Sequence, residues 1–236
     1  MPHAFHPFTQ EHFIALGIGT AVAAVLVSVG KRGGFGEQAA RALLAFLCLS
    51  AYPLSQAAWM TADVPKTIDN IVPLHMCDIA AMTAGFALLT LRPFLCMVTY
   101  FWGLAATLQA LLTPAITMGF PSLPFLMFFV HHFSVVIAAL YIPIVMGWRP
   151  ELPLWKSPLE IFGISVIYLI FILGVNHFTG SNFAFVSHPP ENPSLIDHLG
   201  PWPWYIFSLL GIALVLYFLL VLPFVGRPGR PTIDAP

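Results

Sequence analysis

The chain of 236 residues is 58% hydrophobic and only 8% charged, with 9 Lys and Arg against 10 Asp and Glu for a formal charge of −1. A soluble domain needs roughly a quarter of its residues charged to coat its surface, so most of this surface is expected to face lipid. The same balance leaves no basic footprint for nucleic acid, and three cysteines without a CxxC spacing exclude a disulfide scaffold or a zinc ribbon.

A membrane-crossing helix needs about 20 mostly apolar residues. Seven segments supply them in chain order: Phe13–Val29, Ala42–Thr61, Ile71–Leu91, Phe94–Leu112, Leu123–Met146, Ile161–Asn176 and Tyr205–Val225. The expected fold is all-α, a single polytopic membrane domain over 1–236. Ahead of the first span, MPHAFHPFTQEH holds no Lys or Arg, so a cleaved signal peptide is not expected. Lys31, Arg32 and Arg41 flank the first turn-around, Arg92 the third, Arg149 and Lys156 the fifth, and Arg227 and Arg230 the tail, while Lys66 alone falls on the other side. Basic residues concentrate on the cytoplasmic side of membrane proteins. The amino terminus is therefore expected outside and the carboxyl terminus in the cytoplasm, in the cell membrane. Trp59, Trp202, Trp204 and Tyr205 then fall at the outer interface and Trp148 at the inner one, where aromatic belts form.

The polar residues are placed unevenly on this frame. His75, Cys77 and Asp78 open the third span, roughly 6–10 Å below its outer start at 1.5 Å per residue. His131 and His132 lie roughly 12–14 Å into the fifth. Gln56, Gln109, Asn176 and His177 stand near the outer ends of the second, fourth and sixth. The inner halves of the expected spans hold no Asp, Glu, His, Asn or Gln. Ionisable groups inside a membrane are costly and by default mark a functional cavity. A set of interhelical hydrogen bonds is the alternative for any one of them; convergence at one depth favours a site.

Cys77 reads either as a nucleophile or as a small buried hydrophobe, the second being the expectation for Cys48 and Cys96. His75 and Asp78, three apart, share a helix face with each other, so a base for Cys77 has to come from another helix. His131 and His132 are placed for that, and as neighbours leave their helix about 100° apart, so one of them is expected to serve. Zinc is the competing chemistry, with His75, Asp78, His131, His132 and His177 as ligands, as in seven-span amidases of the ceramidase type. The His-x-x-x-His spacing of those proteins is missing, so no metal and no cofactor is expected. Coupled transport wants a polar path to both sides, which the bare inner halves do not offer. The segment Thr179–Pro203 exceeds the roughly 12–15 residues of ordinary loops, as lids and binding loops do, or as an interfacial anchor closed by its Trp-Tyr cluster.

Several of these stretches carry a family likeness. Leu74-His75-Met76-Cys77-Asp78, His132 before the run Phe133–Tyr141, Gly180-Ser181-Asn182-Phe183, Pro190–Asp197 and Gly200-Pro201-Trp202-Pro203-Trp204-Tyr205 resemble the YwaF-type bacterial integral membrane proteins. That group is similar to animal transmembrane protein 164, regarded as a cysteine-dependent phospholipid acyltransferase. The resemblance implies that Cys77 carries a fatty acyl group as a thioester and that His132 is its base, with Asn182 in the outer loop. His75, Asp78, His131, Asn176, His177, Trp202 and Tyr205 are then expected to bind or to stabilise the oxyanion. The expected partners are membrane phospholipids and a lysolipid or alcohol acceptor.

Overall fold

A computed structural model of the protein describes residues 3–62 and 67–226. Lys66, Arg227 and Arg230 of the charge count lie outside the described residues. The described chain is helical, with one isolated antiparallel bridge between Ala4 and Met118. Its main helices are α1 (Gln10–Gly30), α2 (Gly34–Met60), α3 (Met76–Thr90), α4 (Pro93–Leu112, with a π turn at Gly103–Thr107), α5 (Leu123–Ile144), α6 (Lys156–Thr179) and α7 (Trp204–Leu220). Six of them are long and apolar enough to cross a membrane; α3, at 15 residues, is the short one. The protein is an all-helical, multi-pass membrane protein.

The boundaries correct the expected spans where local chemistry overrides hydropathy. The third span was expected from Ile71, but α3 starts at Met76. Pro73 is the reason: a residue preceding proline is driven out of the helical region. Val72 accordingly sits at φ −100°, ψ 132°, and His75 is still extended at φ −63°, ψ 145°. His75, Cys77 and Asp78 therefore form the lip and first turn of α3 rather than lying deep within it. Helices α2 and α6 begin earlier than the expected Ala42 and Ile161, so Glu37 and Glu160 are helical. The helix halves expected to hold no acidic residue thus carry them at their ends, where Glu37 meets Arg41 at 2.8 Å.

Helices α4 and α5 form the buried centre, with α3 packed among α2, α4 and α5. That packing uses small residues: Ala80, Ala81, Ala84 and Ala87 are wholly buried. In lipid, where apolar contact alone does not drive association, small residues let helix backbones approach closely. A Cβ added at Gly85 would meet Leu49 Cγ at 2.4 Å.

Four connecting segments meet at one end of the bundle. The Phe5 N–H donates to the Thr117 carbonyl at 2.8 Å, and the Gly119 N–H to the His3 carbonyl at 2.9 Å. Asn192 of the α6–α7 loop donates to the Ile116 and Pro114 carbonyls of the α4–α5 connection. The Asn182 N–H donates to Asp69, in the α2–α3 connection, at 3.1 Å. His12, fully buried, ties α1 to the same region by donating from Nε2 to the Leu111 carbonyl at 2.8 Å. This end holds the polar cluster.

Candidate functional site

The approach to α3 is held from two sides. Tyr52 of α2 donates its hydroxyl to the Ile71 carbonyl, and Tyr168 of α6 donates to the Leu74 carbonyl at 2.8 Å. These pairs hold a non-helical stretch in place, so that α3 starts at a defined point. His75 is the residue just before the helix; its Nδ1 accepts the Ala184 N–H at 3.3 Å, and its ring packs edge-on against Phe183 at 5.3 Å.

Cys77, half-buried, and buried Asp78 follow in the first turn. Opposite them stands His131 of α5. One ligand atom from each of Cys77, Asp78 and His131 forms a group within 4.8 Å of one another. His131 donates from Nε2 to the Cys77 carbonyl at 3.1 Å and lies 3.9 Å from Asp78 Oδ1. A carbonyl can only accept, so Nε2 carries the ring proton in this arrangement. His132 is also buried, with its ring centroid 5.0 Å from that of His131. Its Nδ1 donates to the Phe128 carbonyl at 2.7 Å while the ring stacks on Phe128 at 4.1 Å. In its neutral form His132 therefore has its proton on Nδ1 and a lone pair on Nε2. Both neighbouring histidines thus reach the site end, with opposite tautomers, where the sequence suggested that one would serve.

The remaining expected site residues build the loop beside this cluster. Asn176 accepts from the Phe183 N–H and the Ser181 hydroxyl and donates to the Phe183 carbonyl. Asn182 accepts from the Ser187 and His188 N–H groups and donates to the His188 carbonyl at 2.9 Å. Both side chains are committed to loop backbone. Tyr205 donates to the Phe185 carbonyl at 2.8 Å, and Trp202 Nε1 donates to the Val186 carbonyl at 3.1 Å. Ala184 and Phe185, both at φ 55°, occupy the left-handed region. Non-glycine residues persist there only when their surroundings over-determine them, and these four side chains supply that restraint. His177 is exposed and packs on Phe178 at 5.3 Å, apart from the Cys77 group.

Sequence reading passed over Tyr52, Asp69 and Tyr168. A tyrosine in an apolar helix does carry a signal, because its buried hydroxyl needs an acceptor. What it could not supply was the identity of that acceptor, here the backbone just ahead of Cys77.

Grouped with the Cys77 sulfur, then, are a carboxylate and a proton-bearing imidazole at the start of a helix, and beside that imidazole on α5 lies a second one of opposite tautomer. Helix N-termini present unpaired N–H groups that favour negative charge. No curated protein and no solved structure matches the chain. The TMEM164 family model matches residues 7–221, nearly its full length. The chain belongs to the TMEM164 family.

Proposed function

We propose that the protein is a membrane-embedded acyltransferase that moves a fatty acyl group between phospholipids through a thioester on Cys77. The observation that carries this reading is the placement of a half-buried thiol in the first turn of α3 beside His131, with His132 next to that ring on α5, in a chain of this family. His132 Nε2 takes the thiol proton, and the sulfur attacks the ester carbonyl carbon of a donor phospholipid. The Met76 and Cys77 N–H groups at the helix start stabilise the tetrahedral oxyanion, the kind of preorganised donor pair that such steps rely on. The intermediate expels the lysolipid oxygen, which takes the proton back, leaving acyl-Cys77. His132 then deprotonates the acceptor hydroxyl, which attacks the thioester and frees the thiol. His131 holds the Cys77 backbone in place through its carbonyl.

The site faces the outer leaflet of the cell membrane, with seven crossings, the amino terminus outside and the carboxyl terminus in the cytoplasm. Support for seven comes from the gathered loops. The amino-terminal segment bonds to the α4–α5 connection, an arrangement that fits an even number of crossings between them, α3 included.

The test is transfer of a labelled acyl chain from phospholipid to lysolipid by purified protein. It should survive strong chelation, stop after thiol alkylation, and be absent in Cys77→Ala. Loss of activity on chelation, with Cys77→Ala active, would instead favour the metal-dependent lipid hydrolase reading. Lipid binding without turnover would leave a non-enzymatic lipid carrier.

A further inference from the structure

Asp78 brings a carboxylate into the bundle with only 9% of the residue exposed. From the facing helix its ion-pair partner among the described residues is His131 at 3.9 Å. That distance is too long for a hydrogen bond. Buried carboxylates are ordinarily paired, hydrogen-bonded or bound to metal. Here the Cys77 sulfur joins the pair as a third group, and one ligand atom from each of the three residues lies within 4.8 Å of the others.

Consecutive helical residues normally point about 100° apart and do not share a neighbour. Cys77 and Asp78 do so because His131 reaches across from α5 between them, at the open end of the helix. Zinc with sulfur at about 2.3 Å, nitrogen at about 2.0–2.1 Å and oxygen at about 2.0–2.2 Å spaces its tetrahedral ligands about 3.4–3.6 Å apart. Closing the nitrogen–oxygen distance of 3.9 Å to that range is a movement of roughly 0.5 Å, and pairs with the sulfur, within 4.8 Å, close by at most roughly 1.2 Å. A mixed sulfur, nitrogen and oxygen set suits zinc and its thiophilic relatives, whereas calcium and magnesium take oxygen.

We propose that Cys77, Asp78 and His131 form a binding site for a thiophilic divalent cation of the zinc type, whose occupancy blocks acyl transfer. Three protein ligands bind the cation and water fills the fourth position. Binding converts the thiol to a thiolate ligand and releases its proton to solvent. The His131 ring proton, now on Nε2, moves to Nδ1 by exchange with water, so the ring stays neutral and gives its Nε2 lone pair to the cation. One proton leaves per cation bound, and binding tightens as pH rises. The regulatory half rests on the acyl-transfer reading: one sulfur cannot hold a cation and an acyl group together. The binding half stands without it.

The test titrates the purified full chain, reconstituted in phospholipid bilayer discs, with zinc chloride against a chromophoric zinc indicator. Iodoacetamide labelling of Cys77 is followed in parallel by peptide mass mapping, and cadmium chloride reports thiolate ligation by its ultraviolet absorbance. One zinc per chain is expected, with suppression of Cys77 labelling and of acyl transfer over the same concentration range, both reversed by chelator. Asp78→Asn, which keeps shape and removes charge, should weaken zinc beyond the roughly 10–100-fold that loss of an outer-sphere partner costs. Cys77→Ser should lose the cadmium band with unchanged circular dichroism. Zinc that fails to bind, or binds without protecting Cys77, overturns the site. Protected Cys77 in a protein without acyl transfer keeps the site and removes the acyltransferase reading; transfer with Cys77 unprotected does the reverse. Activity that is lost on chelation and restored by zinc overturns the inhibitory role.

Discussion

At position 132 the imidazole is oriented before any lipid arrives, held by the Phe128 carbonyl at 2.7 Å and by stacking on the Phe128 ring. Such a bond to Nδ1 fixes the tautomer that leaves Nε2 basic. His132→Ala should slow acylation of Cys77 by roughly 10²–10⁴-fold, the span of a true general base, in single-turnover measurements. His131→Ala should cost less, because the Nε2 of His131 carries its proton and spends it on the Cys77 carbonyl. Equal losses at the two positions would contradict that division. Tyr205 offers a check on the loop. Tyr205→Phe removes the hydroxyl that holds the Phe185 carbonyl, at a cost of about 1 kcal/mol. That corresponds to a thermal midpoint lower by roughly 2–4 °C for a chain of this size.

Among the elements, α3 decides where the chemistry sits. At 1.5 Å per residue its 15 residues reach about 22 Å, well short of the roughly 30 Å hydrocarbon core. Ahead of it runs the extended stretch after Ile71, clamped by Tyr52 and Tyr168. Pro73→Ala relieves the restriction on Val72 and lets the helix grow backwards through His75. Transfer should fall while circular dichroism stays the same or gains slightly in helix; full activity would show that the α3 start point is unimportant. Gly85→Ala probes the packing behind it, where the new methyl meets Leu49 at 2.4 Å. A loss of about 1–3 kcal/mol, typical of overpacking, is expected in thermal unfolding.

For the molecule as a whole, topology is the open quantity with a direct test. In a Cys77→Ala background, Glu191→Cys should react with an impermeant thiol reagent in intact cells and Glu151→Cys should not, since the two sit in connections at opposite ends of the bundle. The reverse pattern would move the site to the cytoplasmic leaflet.

Much of this architecture was legible in the sequence, because a lipid solvent demands long apolar helices and hydropathy reads them directly. Six expected spans return as helices long enough to cross; the third is shortened because Pro73 acts on backbone dihedrals that hydropathy does not register. Depth along the helices placed Cys77, Asp78, His131 and His132 near one level. It could not distinguish the two histidines, whose roles depend on which backbone carbonyl each ring nitrogen meets. Nor could it show that Asn176 and Asn182 spend their amides on their own loop.

The central claim is the thioester at Cys77, and mass spectrometry of the intact chain after incubation with phospholipid addresses it most directly. The proposed mechanism predicts one added fatty-acyl mass, mapped to the peptide containing Cys77, removed by neutral hydroxylamine and absent in Cys77→Ala. Acyl transfer that proceeds at full rate in Cys77→Ala, with no such adduct on the wild-type chain, would contradict it.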